Sequence, residues 1–251
     1  MPKLIILGTS LAIPAAEHEN THMMFIGEER SILVDCANNP TVHLKNAGLD
    51  ILQVTDLILT HFHPDHVSGV PSFLLNSWLL GRKNPIDFYG LDHTLDRVEM
   101  MMEAYDWKSW LNFFPVTFHR LAEVENFPVL DSREFRISSA PVCHMIPTIG
   151  LRVEVKTSQK VIAYSCDTEP CPGVLSLGKG ADILIHEATG EGFGHSSPAQ
   201  AGQIAKQAGA KELILIHFQA EGEAREKMVS EAAESFGGPV TAAEDFQEIE
   251  I

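Results

Sequence analysis

Residues 56–66 read DLILTHFHPDH, an apolar strand-like run that ends in three histidines and an aspartate within six positions. On an extended chain alternate side chains share a face, so His61 and His63 point the same way and can share one ion. The chain then turns into a helix, which aims Asp65 and His66 at a neighbouring position. One short segment thus supplies nitrogen and oxygen donors for two metal sites, a borderline set that suits zinc and less often manganese or iron.

One segment cannot complete two coordination spheres, so further donors are expected as isolated His or Asp residues at strand ends. His144 follows SSAPVC, Asp167 follows VIAYSC, and His217 ends ELILIH, and all three fit. Around them, apolar β-branched runs read as strands at 3–8, 23–27, 31–35, 56–60, 86–89, 134–140, 151–156, 161–165, 182–185 and 212–217. Helical patterns are read at 40–47, 67–80, 92–105, 198–208 and 224–235. That at 198–208 is framed by Ser197 as cap, Pro198 and Gly209. Hairpin-like strands open each half and helix-linked strands follow, which predicts an α/β architecture of two mixed sheets with helices outside. No linker or composition break divides the chain, so residues 1–251 are read as a single domain.

Composition narrows the partners. Apolar residues make up 45% and charged residues 21%, the balance of a globular protein, and no apolar run is long enough to span a bilayer. No export signal is visible, so a cytoplasmic protein is expected, with Cys36, Cys143, Cys166 and Cys171 as reduced thiols, Cys143 and Cys166 packed. The net charge of −16, with no Lys/Arg cluster, weighs against long polyanionic substrates, which need a basic face to replace phosphate counterions.

With HFHPDH, His144, Asp167 and His217 in this order, the chain resembles the metallo-β-lactamase superfamily over nearly its whole length, from Leu7-Gly8-Thr9 and Val34-Asp35 onward. The resemblance implies an αββα four-layer sandwich. It also implies two Zn2+ per chain, one held by His61, His63 and His144, the other by Asp65, His66 and His217, with Asp167 bridging. Histidine at position 63, where redox members carry glutamate, points to hydrolysis.

Residues 186–197, HEATGEGFGHSS, sharpen the resemblance toward ribonuclease Z, the tRNA 3′-end endonuclease. In that likeness Glu187 orients His195, His195 donates a proton to the leaving oxygen, and Asp65 assists as base on the attacking water. The physical case agrees, since a carboxylate beside an imidazole fixes its tautomer and raises its pKa, and Gly190, Gly192 and Gly194 let the loop fold back. A homodimer is implied as well, acting by a two-metal-activated hydroxide on an RNA 3′ end or a small phosphodiester. Two departures stand out. Pro64 occupies the place of a family glycine, and only two strands fill the interval from His144 to Asp167, where ribonuclease Z inserts its tRNA-gripping arm. The missing arm and the acidic balance weigh against tRNA and leave the phosphodiesterase chemistry in place.

Fold alone also admits hydrolysis of a small ester, thioester, lactone or sulfate ester, or a binding module without catalysis. The cluster Trp107, Trp110, Phe113 and Phe114 reads either as a lid, pocket wall or dimer surface, or as cover for the core. His18 and His22 are read as substrate contacts or plain loop residues. His186 is read as structural, and His43, His93 and His119 carry no assigned role.

Overall fold

The computed structural model describes residues 2–219 and 224–251. Its first half contributes β1 (Lys3–Gly8), β2 (His22–Ile26), β3 (Ser31–Val34), α1 (Pro40–Asn46), β4 (Asp56–Ile58), α2 (Pro64–Val67), α3 (Val70–Leu79), β5 (Ile86–Leu91), α4 (Asp92–Ala104) and β6 (Val116–Leu121). The second contributes β7 (Phe127–Asp131), β8 (Phe135–Val142), β9 (Thr148–Val155), β10 (Val161–Tyr164), α5 (Pro172–Gly178), β11 (Ile183–Glu187), α6 (Pro198–Ala208), β12 (Glu212–Ile216), α7 (Ala224–Phe236), β13 (Val240–Ala242) and β14 (Glu248–Glu250).

Two seven-stranded sheets result, ordered β14-β1-β2-β3-β4-β5-β6 and β13-β12-β11-β10-β9-β8-β7. Each half begins as antiparallel strands and continues as parallel ones, β3 to β6 in the first and β10 to β13 in the second. Short turns suffice for the antiparallel pairs, whereas most parallel neighbours are joined through crossovers that carry α1 to α7. The expected αββα sandwich of two mixed sheets is what the chain forms. β14 returns to pair with β1, so the last strand closes the first sheet.

Alternation along each strand builds three cores. On β1, Leu4 and Ile6 face the other sheet while Ile5 and Leu7 face the helices. The inter-sheet core joins Leu4, Ile6 and Phe25 to Phe135, Ile137, Ile185 and Ile216, with the Phe25 and Phe135 rings edge to face at 6.3 Å. An outer core packs Phe73, Leu74, Leu95 and Val98 on the first sheet, and another packs Ala201, Ile204 and Ala205 on the second. Sheets covered on both faces account for the nearly continuous apolar strands in the sequence. No helix among the described residues is long and apolar enough to cross a membrane.

Several expectations need correction. The helix read over 67–80 is two helices, broken at Ser68-Gly69. There Gly69 donates to the Cys36 carbonyl at 2.8 Å, and a Cβ on it would lie 2.6 Å from the Ala37 oxygen. Strands β6, β7, β13 and β14 and helix α5 were not anticipated. Cys143 is exposed rather than packed, because β8 ends at Val142; all four cysteines are free. The aromatic cluster is cover: Trp107 and Phe114 are buried in the first outer core, Phe113 packs against it, and Trp110 stacks on Trp78 at 5.3 Å.

Replacing Phe135 by Ala removes an aromatic ring from the interior of the inter-sheet core. The expected loss is about 3–5 kcal/mol of unfolding free energy, read by denaturant titration followed by circular dichroism. A loss below about 1 kcal/mol would mean that the ring is not locked between the sheets as described.

Candidate metal centre

The site is assembled where strands end. His61 to His66 follow β4, His144 follows β8, Asp167 follows β10, Glu187 is the last residue of β11, and His217 follows β12. Two of these ends, and the end of β3, turn through a left-handed backbone at a non-glycine residue: Cys166 (φ 54°), His217 (φ 53°) and, after β3, Asp35 (φ 61°). Such conformations cost of order 1–3 kcal/mol each, and they persist where surrounding bonds fix them.

Two donor groups converge. The first is His61, His63, His144 and Asp167; the second is Asp65, His66, Asp167 and His217, with the donor atoms of each group within 4.8 Å of one another. Asp167 belongs to both. Its Oδ2 lies 3.9 Å from His61 Nε2, 3.6 Å from His66 Nε2, 3.9 Å from His144 Nε2 and 3.5 Å from His217 Nε2. Asp65 Oδ2 is 3.4 Å from His217 Nε2 and 3.5 Å from His66 Nε2. Donors placed about 2 Å from one tetrahedral ion are about 3.3 Å apart, so these separations are edges of coordination polyhedra more than hydrogen bonds.

Proton bookkeeping strengthens that reading. His66 Nδ1 donates to Asp35 at 2.8 Å, and His144 Nδ1 donates to the Gly194 carbonyl at 2.7 Å. Thr60 gives its hydroxyl proton to Asp35, so at 3.1 Å it accepts from His61 Nδ1. Thr189 gives its proton to the His217 carbonyl, so at 2.8 Å it accepts from His217 Nδ1. Each of the four imidazoles therefore carries its proton outward, and four Nε2 lone pairs point at one another. His63 Nδ1 lies 3.0 Å from both His61 Nε2 and His144 Nε2 and can donate to only one. Buried His66 Nε2 and Asp167 Oδ1 have no hydrogen-bond partner among the described residues. A divalent ion in each group would relieve this repulsion, and the all-N/O donor set is of the kind that suits zinc.

Burial, with the neighbouring imidazoles, pushes His61, His63 and His144 below the usual histidine range and keeps them neutral as ligands must be. His66 differs: against burial, the Asp167 and Asp35 carboxylates on either side carry its pKa upward, a pull toward positive charge at Nε2 that a bound cation would satisfy in place of a proton.

Beside these groups, His195 Nδ1 meets Glu187 Oε1 at 2.9 Å. Glu187 is fully buried and accepts from the backbone N–H of Thr168 at 2.9 Å and of Thr189 at 3.0 Å. The loop folds back through Gly190 (φ 132°) and Gly194 (φ 79°) and ends in the capping box of Ser197 and Gln200 on α6. His195 thus lies between two of the converging histidines, its ring 4.9 Å from that of His144 and 5.9 Å from that of His217. Burial disfavours its charged form, but the bond to Glu187 raises its pKa on balance.

All the predicted site residues come together. His186 points away, buried with Nδ1 on the Glu187 carbonyl. His22 is buried against the Asn20 carbonyl, and part-buried His18 meets Thr9 at 3.0 Å. Sequence reading passed over the supporting residues Thr60, Thr189 and Glu169 and gave Asp35 no role. Asp35 alone carried a usable signal, a lone carboxylate closing an apolar strand as Asp167 does. Glu169 ties three segments, its N–H on the Cys143 carbonyl at 2.8 Å and its Oε1 on the Gly194 N–H at 2.7 Å.

Residues 30–218 match the family described as the Beta-lactamase superfamily domain. The chain belongs to the β-lactamase superfamily. Within that superfamily it is ribonuclease Z-like. It is 26% identical to ribonuclease Z of Methanothermobacter thermautotrophicus, covering 100% of this chain and 97% of that one. It is 27% identical to ribonuclease Z of Bacillus licheniformis, over 99% of each. The archaeal alignment runs over 307 positions, more than the 251 residues here, so that relative carries segments without counterpart in this chain. Among solved structures, the human tRNase Z short form superposes with a TM-score of 0.79 at 27% identity over 99% of both chains. The metallo-beta-lactamase fold protein YhfI from Bacillus subtilis superposes at 0.84 with 22% identity, covering 100% of this chain and 99% of that one, which shows the shared fold. The interval between His144 and Asp167 holds only β9, β10 and their turn, so the β-lactamase fold here lacks the long arm. This fold implies use of divalent metal, and the two His/Asp groups are the candidates to hold it.

Gly194 accepts the His144 proton, and a Cβ there would lie 2.9 Å from His144 Nδ1 on a backbone of positive φ. Gly194→Ala should therefore weaken metal binding by about 10–100-fold, the usual scale for disturbing a ligand's outer partner. Chelator competition measures it, and unchanged affinity would show that His144 takes no part in holding metal.

Proposed function

We propose that this chain is a zinc-dependent hydrolase of phosphodiester bonds that holds two ions, one with His61, His63 and His144 and one with Asp65, His66 and His217, Asp167 serving both. What carries the reading is the Glu187–His195 pair set beside two donor groups that share a carboxylate. Bound ions would supply Lewis acidity toward the phosphoryl oxygen and lower the pKa of attacking water.

The chain's own residues handle the protons. Hydrolysis joins a water oxygen to phosphorus and breaks the bond from phosphorus to the leaving oxygen, which must receive a proton. Glu187 occupies His195 Nδ1, so Nε2 is the atom that delivers it, and the bond to Glu187, which raises the His195 pKa against burial, favours the protonated ring that an acid needs. Asp65, 10% exposed at its side chain and facing His66 and His217, is placed to accept a proton from the attacking water. The same metal groups suit other esters; a general acid aimed at a poor leaving group favours the phosphodiester, as does likeness to proteins named ribonuclease Z.

Zinc-loaded protein assayed side by side on bis(p-nitrophenyl) phosphate, precursor tRNA, a thioester, a lactone and an aryl sulfate tests the proposal. Phosphodiester cleavage is expected; turnover of a carboxylic or sulfate ester with phosphodiesters untouched would overturn it. His195→Ala should keep both ions yet lose about 10²–10⁴-fold in turnover on an alkyl phosphodiester. Asp167→Ala should instead lose metal, read by elemental analysis. Near wild-type turnover in His195→Ala would remove the acid assignment.

A further inference from the structure

Resting on the phosphodiesterase reading, we infer that the substrate is a small phosphodiester of single negative charge bearing a flat apolar group, and not an RNA chain. A protein that grips RNA or DNA neutralises successive phosphates with Lys and Arg around the scissile bond. The segments that build this site and its surround are 9–21, 35–39, 60–69, 143–147, 165–171, 187–197 and 217–219, and none contains a Lys or Arg. They carry exposed carboxylates instead, Glu17 and Glu191, with Glu169 half-buried beside them. Lys227 borders a cavity of about 250 Å³ with Thr189, Gly190 and Phe218, but it is 79% exposed and lies 3.7 Å from Glu231. Arg225, 5.9 Å over the Phe218 ring, is held by Glu244 and the Ala242 and Ala243 carbonyls, so along these described segments successive phosphates would meet no cation set to receive them. One phosphate would be neutralised by ions between the His/Asp donors.

The second observation is apolar. Phe193 is 78% exposed, Ile13 77% and Met145 48%, the large exposed hydrophobic side chains on these segments. Each sits beside the chemistry. Met145 follows His144, Phe193 precedes Gly194 and His195, and Ile13 lies on the loop whose Leu11 N–H bonds the Phe218 carbonyl, next to His217. Gly194 brings the two loops together, since a Cβ on it would stand 3.2 Å from Met145 Cγ, so the backbone next to Phe193 runs against Met145. Apolar side chains held in water next to a charged centre gain by covering a flat ring, as aromatic residues do for an unstacked base.

Zinc-loaded wild type and Phe193→Ala are compared on thymidine 5′-(p-nitrophenyl phosphate), methyl p-nitrophenyl phosphate and a single-stranded oligoribonucleotide. The wild type should favour the nucleoside ester, and Phe193→Ala should raise its KM about tenfold with kcat unchanged. The methyl ester, whose only ring is the nitrophenyl leaving group common to both, should be unaffected, because the covered ring belongs to the ester that is not cleaved. Salt between roughly 50 and 200 mM should change kcat/KM by less than about threefold, against the losses of orders of magnitude that multiple phosphate contacts produce. Preferred, steeply salt-sensitive cleavage of the oligoribonucleotide would overturn the inference. So would equal KM values in wild type and variant, with the phosphodiesterase reading left standing. If the wild type cleaves none of the three, that reading falls and this inference with it.

Discussion

The structure turns on the carboxylate of Asp167. Its Oδ2 stands within 3.9 Å of four imidazole nitrogens whose protons have all been drawn to the far side of their rings. Lone pairs and a carboxylate gathered without hydrogens in a buried space repel one another, and cations are what such an arrangement is built to hold. The outward bonds to Thr60, Asp35, Gly194 and Thr189 fix this polarity before any ion arrives.

Rigid sheets sustain the strain. Asp35, Cys166 and His217 take left-handed backbones where β3, β10 and β12 run out, and each strand before them is buried on both faces. The inter-sheet core, with Phe25 against Phe135, holds strands from both halves in register, so donors separated by 156 positions meet within ångströms. The carboxyl ends of parallel strands are where open α/β sheets usually place their ligands. Here two such sheets aim those ends at a common point.

Much of this was legible in the sequence, for identifiable reasons. HFHPDH declares itself by density of donors, and His144, Asp167 and His217 by standing alone at the ends of apolar runs. The double layer followed from hairpins giving way to helix-linked strands. Other elements left weaker traces. β7 contains Pro128 and is an edge strand, where a missing N–H is tolerated but the pattern is spoiled. β13 and β14 are three residues long, and β14 reads Glu-Ile-Glu. The break at Gly69 arises from contact with the 36–37 backbone, a tertiary constraint that no local periodicity encodes. Thr60, Thr189 and Glu169 act through bonds to distant segments, and their residue types are ordinary in loops.

In the proposed centre Asp167 joins two ion sites. Anomalous X-ray diffraction at the zinc edge from crystals of the zinc-loaded protein tests it most directly. Two peaks about 3.5–4 Å apart are predicted, with the Asp167 carboxylate between them. One peak, or two peaks that Asp167 does not touch, would contradict it.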